Sequence, residues 1–106
     1  MPQFKMMVLS NAVVGQDEEF NRWYDEVHLP DVFKVPGVTG AERFRMRSGA
    51  GWNYLAIYEL DCDDPAVVEQ QLTALAGTDA MPLSDAFDMS NFFMGTAETI
   101  TPFRKA

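Results

Sequence analysis

Three side chains that could move a proton lie within one short stretch, residues 24–28: Tyr24, Asp25 and His28. The single histidine has an ordinary pKa of about 6.5, which suits proton transfer at neutral pH. On an α-helix Tyr24 and Asp25 would both lie beside the His28 ring. The carboxylate could fix the tautomer of the imidazole, and the phenol could donate to a substrate oxygen. The spacing predicts a catalytic group of base (His28), hydrogen-bond donor (Tyr24) and orienting residue (Asp25).

Each of these residues also has a purely structural interpretation. His28 could interact with the last carbonyls of a helix and with the negative end of its dipole. Tyr24 could be core, because it falls on the apolar stripe of that helix. Asp25 could be solvated or paired with Arg22 or Arg45. The residue types leave both interpretations open.

The helix expected to position these residues covers GQDEEFNRWYDEVHLPD. Acidic residues fill its first turn, where they meet the positive end of the helix dipole. Pro30 disfavours a helical residue before it, so the helix should end or bend near His28 and Leu29. The apolar residues recur at helical spacing and are Phe20, Trp23, Tyr24 and Val27.

The other elements follow from apolar runs and turn residues. Asp64 and Pro65 are suited to begin a second helix, and Gly77 is suited to end it. The strands are predicted at 3–10, 39–47, 52–60 and 91–101, with a long loop at 78–90 and a possible bulge at Gly95. This β-α-β-β-α-β order predicts an α+β, ferredoxin-like domain in which two helices cover one face of a four-stranded antiparallel sheet.

The predicted hairpin divides its residues between two faces. With Arg45 opposite Tyr54 and Arg43 opposite Ala56, arginines and aromatics share one face. The other face then holds Phe44, Met46, Leu55 and Ile57. We expect the face that the helices leave open to include Trp52, Tyr54 and Tyr58 or their neighbours, and an open aromatic face predicts a partner subunit.

Composition limits the possible functions. A length of 106 residues indicates one domain, 1–106, and a net charge of −8 argues against nucleic-acid and anionic-membrane partners. No long apolar run suggests a signal peptide or membrane helix. The single cysteine, Cys62, fits a cytoplasmic protein, and its aspartate neighbours disfavour a reactive thiolate. One histidine and one cysteine are too few for a zinc site, and no glycine-rich phosphate loop is present, so neither metal nor cofactor is expected.

The string FNRWYDEVHLPDVFKVPGV, followed by a hairpin with Arg43 and Phe44, resembles the dimeric α+β barrel superfamily. Within it the similarity is to proteins related to the ethyl tert-butyl ether degradation (EthD) protein. The resemblance implies a homodimer of ferredoxin-like subunits packed sheet against sheet, with a ligand cavity between each sheet and its helices. We predict substrate contacts from Trp23, Phe33 and Arg43. Arg43 could bind a carboxylate or phosphate of the substrate, or it could pair with a glutamate such as Glu42 or stack on an aromatic ring. The positions that match in the resemblance are Trp23, Tyr24, His28, Pro30, Pro36, Gly37 and Arg43.

The superfamily includes cyclases, dehydratases, isomerases, cofactor-free monooxygenases and haem enzymes, so the fold does not fix the reaction. Its haem-binding branches place an axial histidine on a different element, and no histidine follows position 28, which disfavours a haem role of that kind and leaves haem binding as the weakest alternative. The predicted function is a cofactor-independent cyclase, dehydratase or isomerase that transfers protons on a small apolar, aromatic or polyketide-like substrate. Residues 81–94, rich in methionine and phenylalanine, are expected to line its pocket or fill the core. The alternatives are a non-catalytic small-ligand-binding or accessory protein and a cofactor-free monooxygenase.

Overall fold

The fold was determined as a computed structural model that describes residues 3–49 and 51–105. The strands and helices follow the predicted order, and the predicted α+β, ferredoxin-like fold is confirmed. The elements are β1 (Gln3–Ser10), α1 (Asp17–Trp23), a π-helical turn (Tyr24–His28), α2 (Leu29–Val32), β2 (Val38–Arg45), β3 (Tyr54–Asp61), α3 (Pro65–Leu75) and β4 (Phe93–Glu98).

The four strands form one antiparallel sheet in the order β2-β3-β1-β4. The predicted hairpin register is confirmed, since Arg43 pairs with Ala56 and Arg45 with Tyr54. Between β2 and β3 the pairing shifts near Gly40, at the start of β2. The register places the two central strands, β1 and β3, beneath the helices and defines which side chains can reach them.

Gly95 does not mark a bulge, contrary to the sequence prediction. It pairs with Met7 within a β1–β4 ladder that runs without a shift. The glycine instead makes room for a neighbouring ring, because a Cβ at this position would lie 2.9 Å from Cζ of Phe93. An aromatic ring lying over a strand glycine compensates for the missing side chain.

The aromatic face of the sheet is the covered face. Tyr54 and Tyr58 are buried, so of the two alternatives for the open face it is their neighbours, such as Leu55 and Ile57, that lie there. The reason is aromatic packing: the ring of Phe20 in α1 lies 4.9 Å from that of Tyr54. The opposite face, called the open face below, carries the charged Lys5, Glu42 and Glu59 beside a group of half-buried or exposed apolar side chains: Met7, Leu9, Phe44, Leu55, Ile57 and Phe93.

Of the two effects expected of Pro30, an end to the helix is not observed, because the helical region continues past His28 and Leu29 to Val32. At its centre the Leu29 N–H donates to the Tyr24 carbonyl, five residues earlier, which widens the helix into a π-helical turn. Pro30 then occupies the first turn of α2. A proline has no N–H to donate and its ring crowds the carbonyl four residues earlier. The wide turn before it lets the chain stay helical.

Helix α3, which is the second helix predicted from the sequence, has the predicted ends. The Asp64 carboxylate accepts a hydrogen bond from the Ala66 N–H at 3.0 Å, and Pro65 is the first helical residue. Gly77 follows the helix with a φ of 87°, in the left-handed region that glycine adopts without strain. In the described part of the chain, no helix has the length and apolar character needed to cross a membrane.

Candidate functional site

A cavity of about 360 Å³ lies between the sheet and the helices. This volume falls in the range of small-molecule pockets. Its walls come from β1, α1, the π-helical turn, β3 and α3, together with the chain between α3 and β4. None of the residues that line it carries a charged side chain other than the titratable imidazole of His28. The cavity therefore suits an uncharged, largely apolar ligand.

His28 lines this cavity between two aromatic rings. The indole of Trp23 stacks on the imidazole, with ring centroids 4.6 Å apart and planes 24° apart. The ring of Tyr24 meets the imidazole edge-on at 5.1 Å. Trp23 is itself held, because its Nε1 donates to the Pro82 carbonyl at 3.2 Å. The imidazole orientation is thus fixed by packing.

The imidazole of His28 is neutral at physiological pH. Burial lowers its pKa to about 4, although the negative charge of Asp31 acts in the opposite direction. Its Nδ1 is buried and has no hydrogen-bond partner among the described residues. Buried polar atoms are nearly always paired, so an unpaired nitrogen on an imidazole that lines a cavity marks a candidate functional group. The helix-capping interpretation of His28 has no hydrogen bond within residues 3–49 and 51–105 to support it.

Two tyrosines that line the cavity are joined through their hydroxyl groups. The Tyr58 hydroxyl donates to that of Tyr24, with 3.3 Å between the oxygens. Both side chains are almost fully buried, and burial raises the pKa of each phenol. Both therefore stay protonated at neutral pH. They can donate hydrogen bonds but do not act as bases.

Asp25 does not reach the His28 ring, contrary to the orienting role predicted for it. Its carboxylate accepts a hydrogen bond from Nη1 of Arg43 at 2.8 Å and is 61% exposed. The cause is the π-helical turn, in which residues three apart are rotated further from each other than in an α-helix. The carboxylate whose charge acts on His28 is instead Asp31.

Arg43 lies outside the cavity and is not among its lining residues. Its side chain is only 14% exposed, and Nη2 donates to the Asn21 side chain at 2.7 Å. The guanidinium carbon lies 4.4 Å from the centroid of the Tyr24 ring, a cation–π arrangement. Arg43 thus supports Tyr24 from outside the cavity and does not itself face a ligand there.

Three of the six predicted site residues line the cavity, namely Trp23, Tyr24 and His28. Asp25, Arg43 and Phe33 do not, and the side chain of Phe33 is exposed. The sequence analysis missed Tyr58 as a site residue. The hairpin register held the signal, because it placed Tyr58 on the face of Arg43. Of the segment 81–94, the residues that line the cavity are Met81, Leu83, Phe87, Met89, Phe92 and Met94.

Metal binding and thiol chemistry receive no support from the described residues. No group of three His, Cys, Asp or Glu side chains among them is placed to hold a metal ion. Desolvation, and then the charges of Asp64, Asp61 and Asp63, raise the pKa of the Cys62 thiol. A thiol with a raised pKa is a poor nucleophile, as the sequence predicts.

The fold defines the chain as an α+β domain of the ferredoxin-like type that EthD family proteins share. A solved EthD family protein from Bacillus halodurans superposes with a TM-score of 0.62 at 18% identity, covering 92% of this chain and 99% of that one. A protein of unknown function from Nitrosomonas europaea gives 0.60 at 12% identity, covering 100% and 97%. HapK from Hahella chejuensis gives 0.55 at 14% identity and covers 100% of both chains.

These identities establish a shared fold only, and the resemblance predicted from the sequence is confirmed at that level. No protein-family model matches the sequence, and no curated protein matches it. The chemistry has to be argued from the cavity itself.

Proposed function

We propose that this protein is a cofactor-independent enzyme that uses His28 as a general base on a small, apolar, aromatic or polyketide-like substrate. The observation that supports this most strongly is a neutral imidazole that lines an uncharged cavity and has an unpaired nitrogen. A neutral imidazole can accept a proton, and Tyr24 beside it can donate to a substrate oxygen.

The low pKa of His28 restricts the kind of proton that it can take. An imidazole whose conjugate acid has a pKa of about 4 is a weak base, so the substrate must have an activated C–H, such as one beside a carbonyl. As the proton moves, an imidazolium and an enolate form together, and their opposite charges stabilise each other in the dry cavity. This chemistry fits cyclisation, dehydration or isomerisation better than oxygenation, which needs a substrate that itself reacts with oxygen.

Proton exchange provides a test that needs no knowledge of the natural substrate. We expect the wild-type protein to catalyse deuterium incorporation at the activated carbon of 2-tetralone, an uncharged bicyclic ketone, in D2O. His28→Ala is expected to slow this exchange by roughly a hundredfold or more, the usual contribution of a general base. Proton NMR measures the rate as the loss of the signal at that carbon.

The matched control is Glu26→Gln, which changes an exposed residue of the same π-helical turn and should leave the exchange rate unchanged. Equal exchange by wild type and His28→Ala would contradict the proposal. Binding of 2-tetralone without exchange would favour the second candidate, a non-catalytic small-ligand-binding protein, which the apolar lining also fits.

We further propose that two copies of the chain associate through the open face. Its apolar side chains lie side by side on adjacent strands, and a contiguous apolar surface of this kind is typical of a protein–protein interface. Two sheets packed through such faces would form the dimeric α+β barrel implied by the sequence resemblance.

Ile57→Asp is expected to shift the protein from dimer to monomer, because a carboxylate at the centre of the open face would be buried without a partner. Sedimentation velocity measures the change. The control is Val67→Asp, the same kind of substitution at an exposed position of α3, which should stay dimeric. A wild-type protein that sediments as a monomer would refute the dimer.

A further inference from the structure

We infer that Tyr58 and Tyr24 together form a subsite that binds the carbonyl oxygen of an uncharged aromatic ketone. The inference rests on the proposed cavity function, but it assigns a new residue and a narrower ligand class. The two hydroxyl groups lie 3.3 Å apart, and both tyrosines belong to the lining of the cavity.

One hydroxyl proton of the Tyr24–Tyr58 pair has no acceptor among the described residues. Each phenol has one proton to give, and the only hydrogen bond that joins either hydroxyl to a described residue is the one between them. Whichever tyrosine donates in that bond, the proton of the other hydroxyl has no acceptor in the described part of the chain. A ligand oxygen in the cavity would supply that acceptor and complete the pair.

The two phenols can donate hydrogen bonds, and neither loses its proton near neutral pH. Burial raises the pKa of both phenols, so a tyrosinate does not form near neutral pH. The guanidinium of Arg43 opposes this rise for both tyrosines, and it lies 4.4 Å from the Tyr24 ring centroid. A cation against the ring makes the phenol a better hydrogen-bond donor without making it a base.

The cavity lining indicates a ligand without formal charge. Among the described residues, no Lys, Arg, Asp or Glu lines the cavity, so a carboxylate or phosphate would lose its hydration there without gaining an opposite charge. Four thioethers and several rings make up much of the wall, and sulfur and ring edges pack well against planar aromatic groups. The four thioethers belong to Met6, Met81, Met89 and Met94.

The tyrosine pair lies close to His28, and this arrangement favours a ketone over other uncharged ligands. The rings of Tyr24 and His28 are adjacent, with centroids 5.1 Å apart. A carbonyl oxygen and the C–H next to it are parts of one small group, so one ketone can face the hydroxyl pair and the imidazole together. The subsite would thus stabilise the oxygen on which charge develops when His28 removes a proton.

The test compares two ligands that differ only in the oxygen, 2-tetralone and tetralin, by isothermal titration calorimetry. Wild type is expected to bind the ketone roughly fivefold to tenfold more tightly than the hydrocarbon, as one net hydrogen bond allows. Tyr58→Phe and Tyr24→Phe should each reduce this ratio to about 2 or less. The control is Tyr54→Phe, whose hydroxyl donates to Asp17 at 2.5 Å and does not line the cavity, so the ratio should persist.

A spectroscopic measurement separates ligand contact from a change in packing. The carbonyl stretching band of bound 2-tetralone should move to lower frequency in wild type and in Tyr54→Phe, and should return toward its unbound position in Tyr58→Phe. Far-UV circular dichroism confirms that each variant is folded, and Tyr24→Phe tests the same subsite if Tyr58→Phe does not fold.

An unchanged ketone-to-hydrocarbon ratio in both Tyr58→Phe and Tyr24→Phe would overturn the inference, as would tighter binding of 2-naphthoate than of 2-tetralone. These results are independent of catalysis. His28→Ala should keep the binding ratio while losing proton exchange. A selective ketone site without exchange in wild type would refute the proposed enzyme and leave the subsite standing.

Discussion

Replacing Phe20 by alanine is expected to lower the free energy of unfolding by about 3–5 kcal/mol, the usual cost of emptying a large aromatic site in a core. Phe20 is 0% exposed and lies at the centre of an aromatic cluster. Its ring contacts those of Trp23, Tyr24, Tyr54 and Phe87, at centroid distances of 4.9–6.3 Å. The same ring also lies beside the Arg43 guanidinium, at 5.7 Å. Urea-induced unfolding measures the change.

Two further variants make the Phe20 result specific. Phe20→Leu keeps most of the volume and should lose clearly less stability than the alanine variant. Val67→Ala truncates an exposed side chain of α3 and should change stability by about 0.5 kcal/mol or less. A loss below about 1 kcal/mol for Phe20→Ala would mean that the cluster is not the centre of the core. Because Phe20 supports Trp23 and Tyr24, its removal should also weaken binding of 2-tetralone.

Acidification from pH 7 to pH 4 is expected to remove about 3 kcal/mol of stability through His28 alone, at about 1.4 kcal/mol per pH unit. The pKa of His28 is about 4 in the folded protein, against 6.5 for an ordinary histidine. Between these values the unfolded chain binds a proton that the folded chain does not. Stability from this group is therefore complete above about pH 6.5 and falls as the pH drops toward 4.

The control for this effect is His28→Gln, which does not titrate. Other acid-sensitive groups contribute to both proteins, so the informative quantity is the difference between the two pH dependences of unfolding free energy. Between pH 6 and pH 4.5 we expect the unfolding free energy of the wild type to decrease more steeply than that of His28→Gln. The difference in slope should correspond to the binding of about one proton on unfolding. Parallel curves would show that His28 is solvated in the folded state and has an ordinary pKa.

Local signals in the sequence were sufficient for most of the fold. The cap at Asp64, the proline after it and the glycine at position 77 act within a few residues, so they are readable without tertiary structure. The hairpin register was also readable, because strand alternation and a short turn fix it together. The sequence did not predict which face of the sheet the helices cover. Both faces of the sheet carry apolar side chains, and only packing against α1 decides between them.

Part of the candidate site could be predicted from the sequence, and the part that could not depends, like the covered face, on the assembled structure. The i, i+4 spacing of Tyr24 and His28 brings these rings together in the structure. The predicted place of Asp25 beside His28 requires α-helical geometry through residue 28, and no propensity in YDEVH reveals the π-helical turn that is present. Tyr58 was missed because its contact with Tyr24 joins residues 34 positions apart. Contacts of that range depend on the assembled fold.

The π-helical turn has a consequence for comparing this chain with other proteins of its fold. Its closing hydrogen bond spans five residues where an α-helical bond spans four, so the turn holds one additional residue between the same two helical ends. A relative with an uninterrupted α-helix here would align only with a one-residue gap inside 24–28. Without that gap, every position from His28 to Val32 would be matched to the wrong neighbour, and a base in the equivalent place would be overlooked.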